Sequence, residues 1–119
     1  MAAPNIVNVA TITGKSVTGA LGTSTATLLQ NSASSNKAFK VNTILVSNDD
    51  GTNSATVTVT HYDGSNDRHI AKGITVPAGA TVVLIDKNSS LYLEENRHIR
   101  GNASAAGDLE YIISYEELS

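Results

Sequence analysis

The clearest alternation of apolar and polar positions runs from Ala55 to Thr60, where Ala55, Val57 and Val59 interleave with Thr56, Thr58 and Thr60. A period of two predicts a strand with one packed face and one face turned to water. The same period returns near the end of the chain. There Leu109, Tyr111, Ile113 and Tyr115 share one face, opposite Glu110, Ile112, Ser114 and Glu116. Between these lies Ile74 to Ile85, ITVPAGATVVLI, which reads as strand, turn, strand: a β-hairpin or a sheet-to-sheet corner. Pro77 has no N–H for a ladder and ends the first strand. It presets φ for the second position of a type I turn, with Gly79 at the fourth. Val82 to Ile85 is the most apolar run of the chain and predicts a central strand covered on both faces.

Further strands are predicted at Ile6 to Ile12 and around Ala26 to Leu29, separated by Gly14, Gly19 and Gly22. After the loop Asn31 to Asn36, a longer strand runs from Lys37 to Asn48, with Val41 to Val46 apolar enough for burial. Asn48 to Asn53 is a turn in which Asp50-Gly51 is a hairpin signal. Asp63 to Asp67 is a second turn, leading into a strand from Arg68 to Val76. A short strand at Leu91 to Leu93, a turn at Glu94 to Arg97, a strand from His98 to Ala103 and a turn at Ala105 to Asp108 complete the series. No window sustains the spacing of an amphipathic helix. About eight short strands spaced by Gly/Asn/Asp turns predict an all-β chain, a single antiparallel β-sandwich of jelly-roll-like arrangement, with an Ig-like Greek key as the alternative.

At 119 residues the chain suits one domain, 1–119, with 1–13 as an extended arm or edge strand. Hydrophobic residues make up 40% but aromatics 4%, so the core must be aliphatic. A buried aliphatic side chain contributes about 1.5–3 kcal/mol against about 1–2 kcal/mol per residue of backbone ordering, so association with neighbours would help. The absence of cysteine excludes disulfides and thiol chemistry. No apolar run is long enough to span a membrane, and the first residues lack the features of a signal peptide. A net charge of −3 with scattered basic residues argues against nucleic acid as a partner. From Met1 to Asn36 the one charged side chain is Lys15. Such a segment is either ordinary strands and loops or a surface laid against another subunit, since interface cores are depleted in charge. On the second reading Ile6, Val7, Val9 and Ile12 are the candidate contact residues.

Catalytic and metal chemistry find little footing. His61, His69 and His98 stand beside no nucleophile in a recognisable signature, and no serine lies in a GxSxG elbow. Asp63, Ser65 and Asp67 match the first alternating positions of a calcium loop. The sixth position, however, is Arg68 and the twelfth Ile74, where glycine and a bidentate glutamate belong. Asp49, Asp50 and Asn53 fit turn chemistry. His61 and His69 flank one turn, but two imidazoles without a third ligand make a poor zinc site. Glu94-Glu95 and Glu116-Glu117 read as a solvated rim, because a glycoside hydrolase needs a cleft and sugar-stacking aromatics. No catalytic residue, metal ligand or cofactor is therefore expected. Tyr62, Tyr92, Tyr111 and Tyr115 keep a carbohydrate-binding surface module as an alternative.

Several stretches together carry a resemblance: PNIVNV (Pro4 to Val9), KVNTILVSN (Lys40 to Asn48), DGTN (Asp50 to Asn53), VPAGATVV (Val76 to Val83), LYLEE (Leu91 to Glu95), and GDLE and SYEE near the end. From end to end the chain resembles the small virion structural proteins of tailed phages of marine bacteria, especially cyanophages. Asn96 departs from the pattern, standing where a glycine is expected after the glutamate pair; Asn also tolerates positive φ. The resemblance implies a non-enzymatic protein of the virion, present in many copies and assembled in the host cytoplasm. Its expected partners are the major capsid protein or other virion proteins. An acidic, cysteine-free sandwich with an uncharged first third suits a decoration (cement) protein on the outer shell, with a tail, neck or fibre component as the alternative. A homo-oligomer is expected, a closed trimer first, with neither nucleic acid nor membrane as a partner.

Overall fold

The computed structural model describes residues 10–119, and within them nine strands and one short 3-10 turn. The strands are β1 (Ile12–Ala20), β2 (Ala26–Asn31), β3 (Ala38–Asn48), β4 (Ala55–Tyr62), β5 (Asp67–Val76), β6 (Thr81–Ile85), β7 (Leu91–Leu93), β8 (Arg97–Ala103) and β9 (Leu109–Leu118), with the 3-10 turn at Lys87–Ser89. One sheet has the order β1-β9-β3-β6, with β7 also paired to β3; the other runs β2-β8-β4-β5. All pairings are antiparallel, and one set is nested, β1 with β9, β2 with β8, β3 with β6 and β7, β4 with β5, while β3 with β9 and β4 with β8 join the rolled layers side by side. That is one long antiparallel ribbon rolled into two packed sheets, the jelly roll expected from the pattern, and it excludes the Ig-like alternative.

The alternation seen in the sequence fills the space between the sheets. Val41, Ile44 and Val46 of β3, Val57 and Val59 of β4, Ile99 of β8, and Leu109 and Ile113 of β9 are all fully buried. Phe39 packs on Tyr115 with ring centroids 5.0 Å apart. Apart from Phe39 and Tyr111 the core is aliphatic, as composition required.

Four expectations need correcting. First, β1, the earliest strand among the described residues, runs from Ile12 through Gly14 and Gly19, which are strand residues and not spacers. At Gly19 an added Cβ would lie 2.7 Å from the Tyr111 hydroxyl, so the Tyr111 ring occupies the space a side chain would need. The segment Ile6 to Val9 lies outside the described residues. Secondly, Val82 to Ile85 forms an edge strand: β6 pairs with β3 alone, and Val83 is 57% exposed. The central strands are β3 and β9, and an apolar run on an edge reads in sequence like one in the middle. Thirdly, Asp50-Gly51 joins no hairpin, because β3 and β4 belong to different sheets. Fourthly, the Ala80 N–H donates to the Pro77 carbonyl at 3.0 Å, so Pro77 opens the turn and Gly79, at φ 70°, is its third residue. A positive φ there is what a type II turn requires. The stretch from Ile74 to Ile85 is thus a sheet-to-sheet corner. Asn96 has φ 61°, so asparagine does fill the left-handed position where glycine was expected.

Two buried asparagines hold these crossings. Asn48 Nδ2 donates to the carbonyls of Asn53 (2.9 Å) and Val76 (3.0 Å), and its Oδ1 accepts the Asp50 N–H at 2.9 Å. It thereby ties the β3–β4 crossing to the β5–β6 corner. Asn31 does the same elsewhere: Nδ2 donates to the carbonyls of Lys37 and Leu93, both at 2.9 Å, and Oδ1 accepts from the Ser35 hydroxyl. Removing either amide leaves buried backbone groups without partners, at about 1–3 kcal/mol per group. Asn48→Ala is therefore expected to lower unfolding free energy by about 3 kcal/mol in urea titration. Asn102→Ala, whose amide makes an exposed bond to Thr25, should change it by less than about 0.5 kcal/mol.

Candidate interaction surface

The residues with possible chemistry are dispersed by the fold, and most are engaged in structural bonds. Asp63 Oδ1 accepts the N–H groups of Ser65 (3.0 Å) and Asn66 (2.8 Å). Asp67 accepts from the Thr60 hydroxyl at 3.1 Å and from Arg100 at 3.4 Å. The resemblance of this turn to a calcium loop thus reflects an Asx turn and a strand-to-strand ion pair. Asp50 caps its own turn in the same manner, taking the N–H of Thr52 at 2.7 Å and of Asn53 at 3.2 Å. Glu94 faces Arg97 at 4.0 Å, Glu95 accepts the Asn36 N–H, Glu116 accepts from Asn42, and Glu117 bridges Lys15 and Lys37 at 3.2 and 3.4 Å. Among the described residues no group of three or more His, Asp and Glu side chains is placed to hold a metal ion.

The histidines are likewise separated. The β4–β5 register sets His69 opposite Thr60 and His61 opposite Arg68, so the two hairpin histidines are not a cross-strand pair. His98 instead lies opposite Tyr62 and stacks on it with centroids 5.4 Å apart and planes 3° apart, while the Arg100 guanidinium sits 5.2 Å from the Tyr62 centroid. Tyr62 is therefore occupied by protein groups. Tyr111 lies in the core, Tyr115 packs on Phe39, and Tyr92 is 45% exposed. The four rings form no shared platform for a sugar.

What the fold does assemble is a patch on the outer face of the five-stranded sheet. Register places Val83 opposite Leu45, Leu45 opposite Ile112, and Ile112 opposite Thr18. An apolar row thus crosses from β6 through β3 to β9 and ends against Thr18 of β1, with Val83 57% and Ile112 42% exposed. Beside it on one side Ser16 and Ser114 share a hydrogen bond at 3.3 Å. On the other a shallow cavity of about 310 Å³ lies among Thr18, Gly19, Ser47, Glu110 and Ile112. The outer face of the second sheet contrasts with it, carrying Asp67, His98, Arg100 and Asn102. Of the four contact residues expected from sequence, Ile12 stands at the start of β1, 60% exposed; Ile6, Val7 and Val9 lie outside the described residues. Sequence reasoning missed the row because Leu45 and Val83 sit inside apolar runs. Ile112 was the available signal, an isoleucine on a face otherwise made of Glu110, Ser114 and Glu116.

Two histidines and two aspartates set the response to pH. Burial holds His61 below its ordinary value of 6.5, with Arg97 adding to the effect and Asp63 and Glu94 opposing it. Burial, then Arg100, does the same for His98. The buried Nε2 of His61 and Nδ1 of His98 have no hydrogen-bond partner, consistent with neutral rings. Backbone N–H donors lower Asp50 (Thr52, then Asn53) and Asp63 (Asn66, then Ser65) below 3.8. For all four groups the unfolded chain binds more protons in the window below the ordinary value, so stability falls as pH falls through it. Melting temperature is expected to drop in two steps, one below about pH 6.5 and another below about pH 3.8. His61→Gln with His98→Gln should remove the upper step and leave the lower.

No protein-family model matches the chain, and no curated protein matches it.

Proposed function

We propose that the protein is a non-enzymatic structural subunit of a phage particle, a decoration protein that binds the outer capsid shell in many copies. The observation that carries this reading is the apolar row Val83–Leu45–Ile112 on an exposed sheet face, in a chain whose ionisable residues are mostly committed to structural bonds. Exposed apolar surface rimmed by polar residues marks contact with another macromolecule, and a low charge density on that face keeps the desolvation cost of docking small. The sequence resemblance points the same way. Apart from Pro4 to Val9, which lies outside the described residues, its stretches fall on β3, on the crossings held by Asn48 and Asn31, on β7 and on β9. Jelly rolls serve both viral shells and lectins, so the fold class alone does not choose between them. The engaged tyrosines weigh against the lectin reading.

In this reading the outer face of the five-stranded sheet lies on the major capsid protein, and the polar outer face of the second sheet is turned away from it. Localising and counting the protein in intact particles tests the reading. Copy numbers comparable to the shell subunit support it, whereas a few copies confined to one vertex move the protein to tail, neck or fibre. Binding to a glycan array with no particle association replaces it with the sugar-binding alternative. Ile112→Asp combined with Val83→Lys is expected to reduce incorporation into particles at least ten-fold, about 1.4 kcal/mol. Both side chains are solvent-facing, so thermal stability should change by about 0.5 kcal/mol or less.

A further inference from the structure

Five strands lie on the edges of the two sheets, and four of them carry features that discourage further pairing, β7 by having only three residues. β5 holds Arg68, His69 and Lys72 and twice shifts register against β4. β2 has six residues and a register shift between Thr27 and Leu29. β6 has five residues, shifts register against β3, and gives way to the 3-10 turn. Basic side chains, bulges and shortness are the usual means by which proteins blunt sheet edges. β1 has none of them in comparable degree. Its nine residues pair with β9 in one unbroken register, from Ile12 opposite Leu118 to Ala20 opposite Glu110, and its one charge, Lys15, is paired with Glu117.

The hydrogen-bond phase of that edge can be read directly. Thr11 and Ser119 exchange both backbone bonds, at 3.0 and 2.9 Å, and the Leu21 N–H donates to Leu109 at 2.8 Å. Antiparallel pairs alternate, so Thr13, Lys15, Val17 and Gly19 bond to β9. Ile12, Gly14, Ser16, Thr18 and Ala20 aim their N–H and C=O groups away from the sheet. Among the described residues nothing pairs with them.

We propose that β1 is a self-pairing edge: two copies of the chain join antiparallel through β1 about a two-fold axis at Ser16, making one continuous sheet. The sequence of the strand is complementary to itself in that register. It is the one alignment that pairs all nine residues, and it sets even-numbered residues opposite even-numbered ones, as the free donors and acceptors require; about ten hydrogen bonds result. Small side chains meet larger ones on one face, Ile12 against Ala20 and Gly14 against Thr18 of the second copy, with Ser16 meeting Ser16. Lys15 falls opposite Val17. A register shifted so that the axis passes through Lys15 would also match donors to acceptors, but it would set two lysines face to face. The inference concerns the edge and not the apolar row, so it stands or falls separately from the capsid reading. It favours a two-fold pair over the three-fold ring expected from sequence.

The experiment uses the full chain in solution, free of particles. Sedimentation at roughly 1 to 100 μM should show a monomer becoming a dimer. Ser16→Pro removes an N–H that bonds nothing among the described residues, and proline is tolerated where the N–H of an edge strand faces outward. This variant should stay monomeric with its melting temperature little changed, whereas Val17→Pro, which loses a bond to β9, should melt lower. Because the chain has no cysteine, single replacements report the register. Ser16→Cys should yield a covalent dimer with a short bifunctional thiol reagent, and Thr18→Cys, facing Gly14 of the second copy, should yield far less. A monomer throughout the concentration range, a dimer indifferent to Ser16→Pro, or equal cross-linking at positions 16 and 18 overturns the proposal.

Discussion

A rolled ribbon must change sheets repeatedly, and each change carries backbone polar groups past the end of an apolar core. This constraint organises the molecule. The crossings meet in pairs: β2–β3 with β7–β8 at Asn31, β3–β4 with β5–β6 at Asn48, and β1–β2 with β8–β9 beside Leu21. At the first two an asparagine amide is the only short side-chain group that can donate twice and accept once in the space of a single residue. At the third the backbones satisfy one another, the Ala103 N–H donating to Gly22 and the Leu21 N–H to Leu109, both at 2.8 Å, and the buried Leu21 fills the gap. With aromatics at 4% of the chain, these polar clamps supply specificity that large rings would otherwise provide.

How much of this could be read from the sequence depended on whether the controlling interaction was local. The alternation in β4 and β9 and the placement of β3 were legible, because period-two burial is written residue by residue. Asn31 and Asn48 were read as loop and turn residues; their partners Leu93 and Val76 lie far along the chain, and an asparagine that bridges two crossings looks like one that caps its own turn. The edge position of β6 was illegible for a related reason: Val82 to Ile85 states hydrophobicity, while its pairing with β3 alone is a property of the whole topology. Gly14 and Gly19 resembled spacers, although Gly19 is required by the Tyr111 ring beside it. The surface row could not be foreseen from any one strand, since Val83, Leu45 and Ile112 become neighbours through register.

The division of labour between the two outer faces follows from the same ladder logic. On the β2-β8-β4-β5 face, charged and aromatic groups engage one another within the sheet: Arg100 serves both Asp67 and the Tyr62 ring, and His98 stacks on Tyr62. Most of the charge on this face is thus paired within the sheet, although His61 Nε2, His98 Nδ1 and Arg100 Nε are buried without hydrogen-bond partners. The opposite face keeps its glutamates at either end of the β9 row, Glu110 beside Ser47 and Glu116 drawn toward Asn42, and leaves Leu45 and Ile112 between them. Folding therefore engages most of the polar groups of one face, and it leaves Val83 and Ile112 of the other exposed.

Nested pairing also orders the folding of the chain in time. The β4–β5 hairpin closes over the short turn from Asp63 to Asn66, whereas β1 must find β9 across nearly the whole length of the chain. Loop-closure entropy grows with the span enclosed, which favours pairing from the inner hairpin outward, with β1 and β9 joining late. The free edge of β1 exists as an ordered ladder only after that final step. A copy that offers this edge has, by doing so, reported that the rest of its roll is closed, and incomplete copies have no ordered ladder there with which to pair.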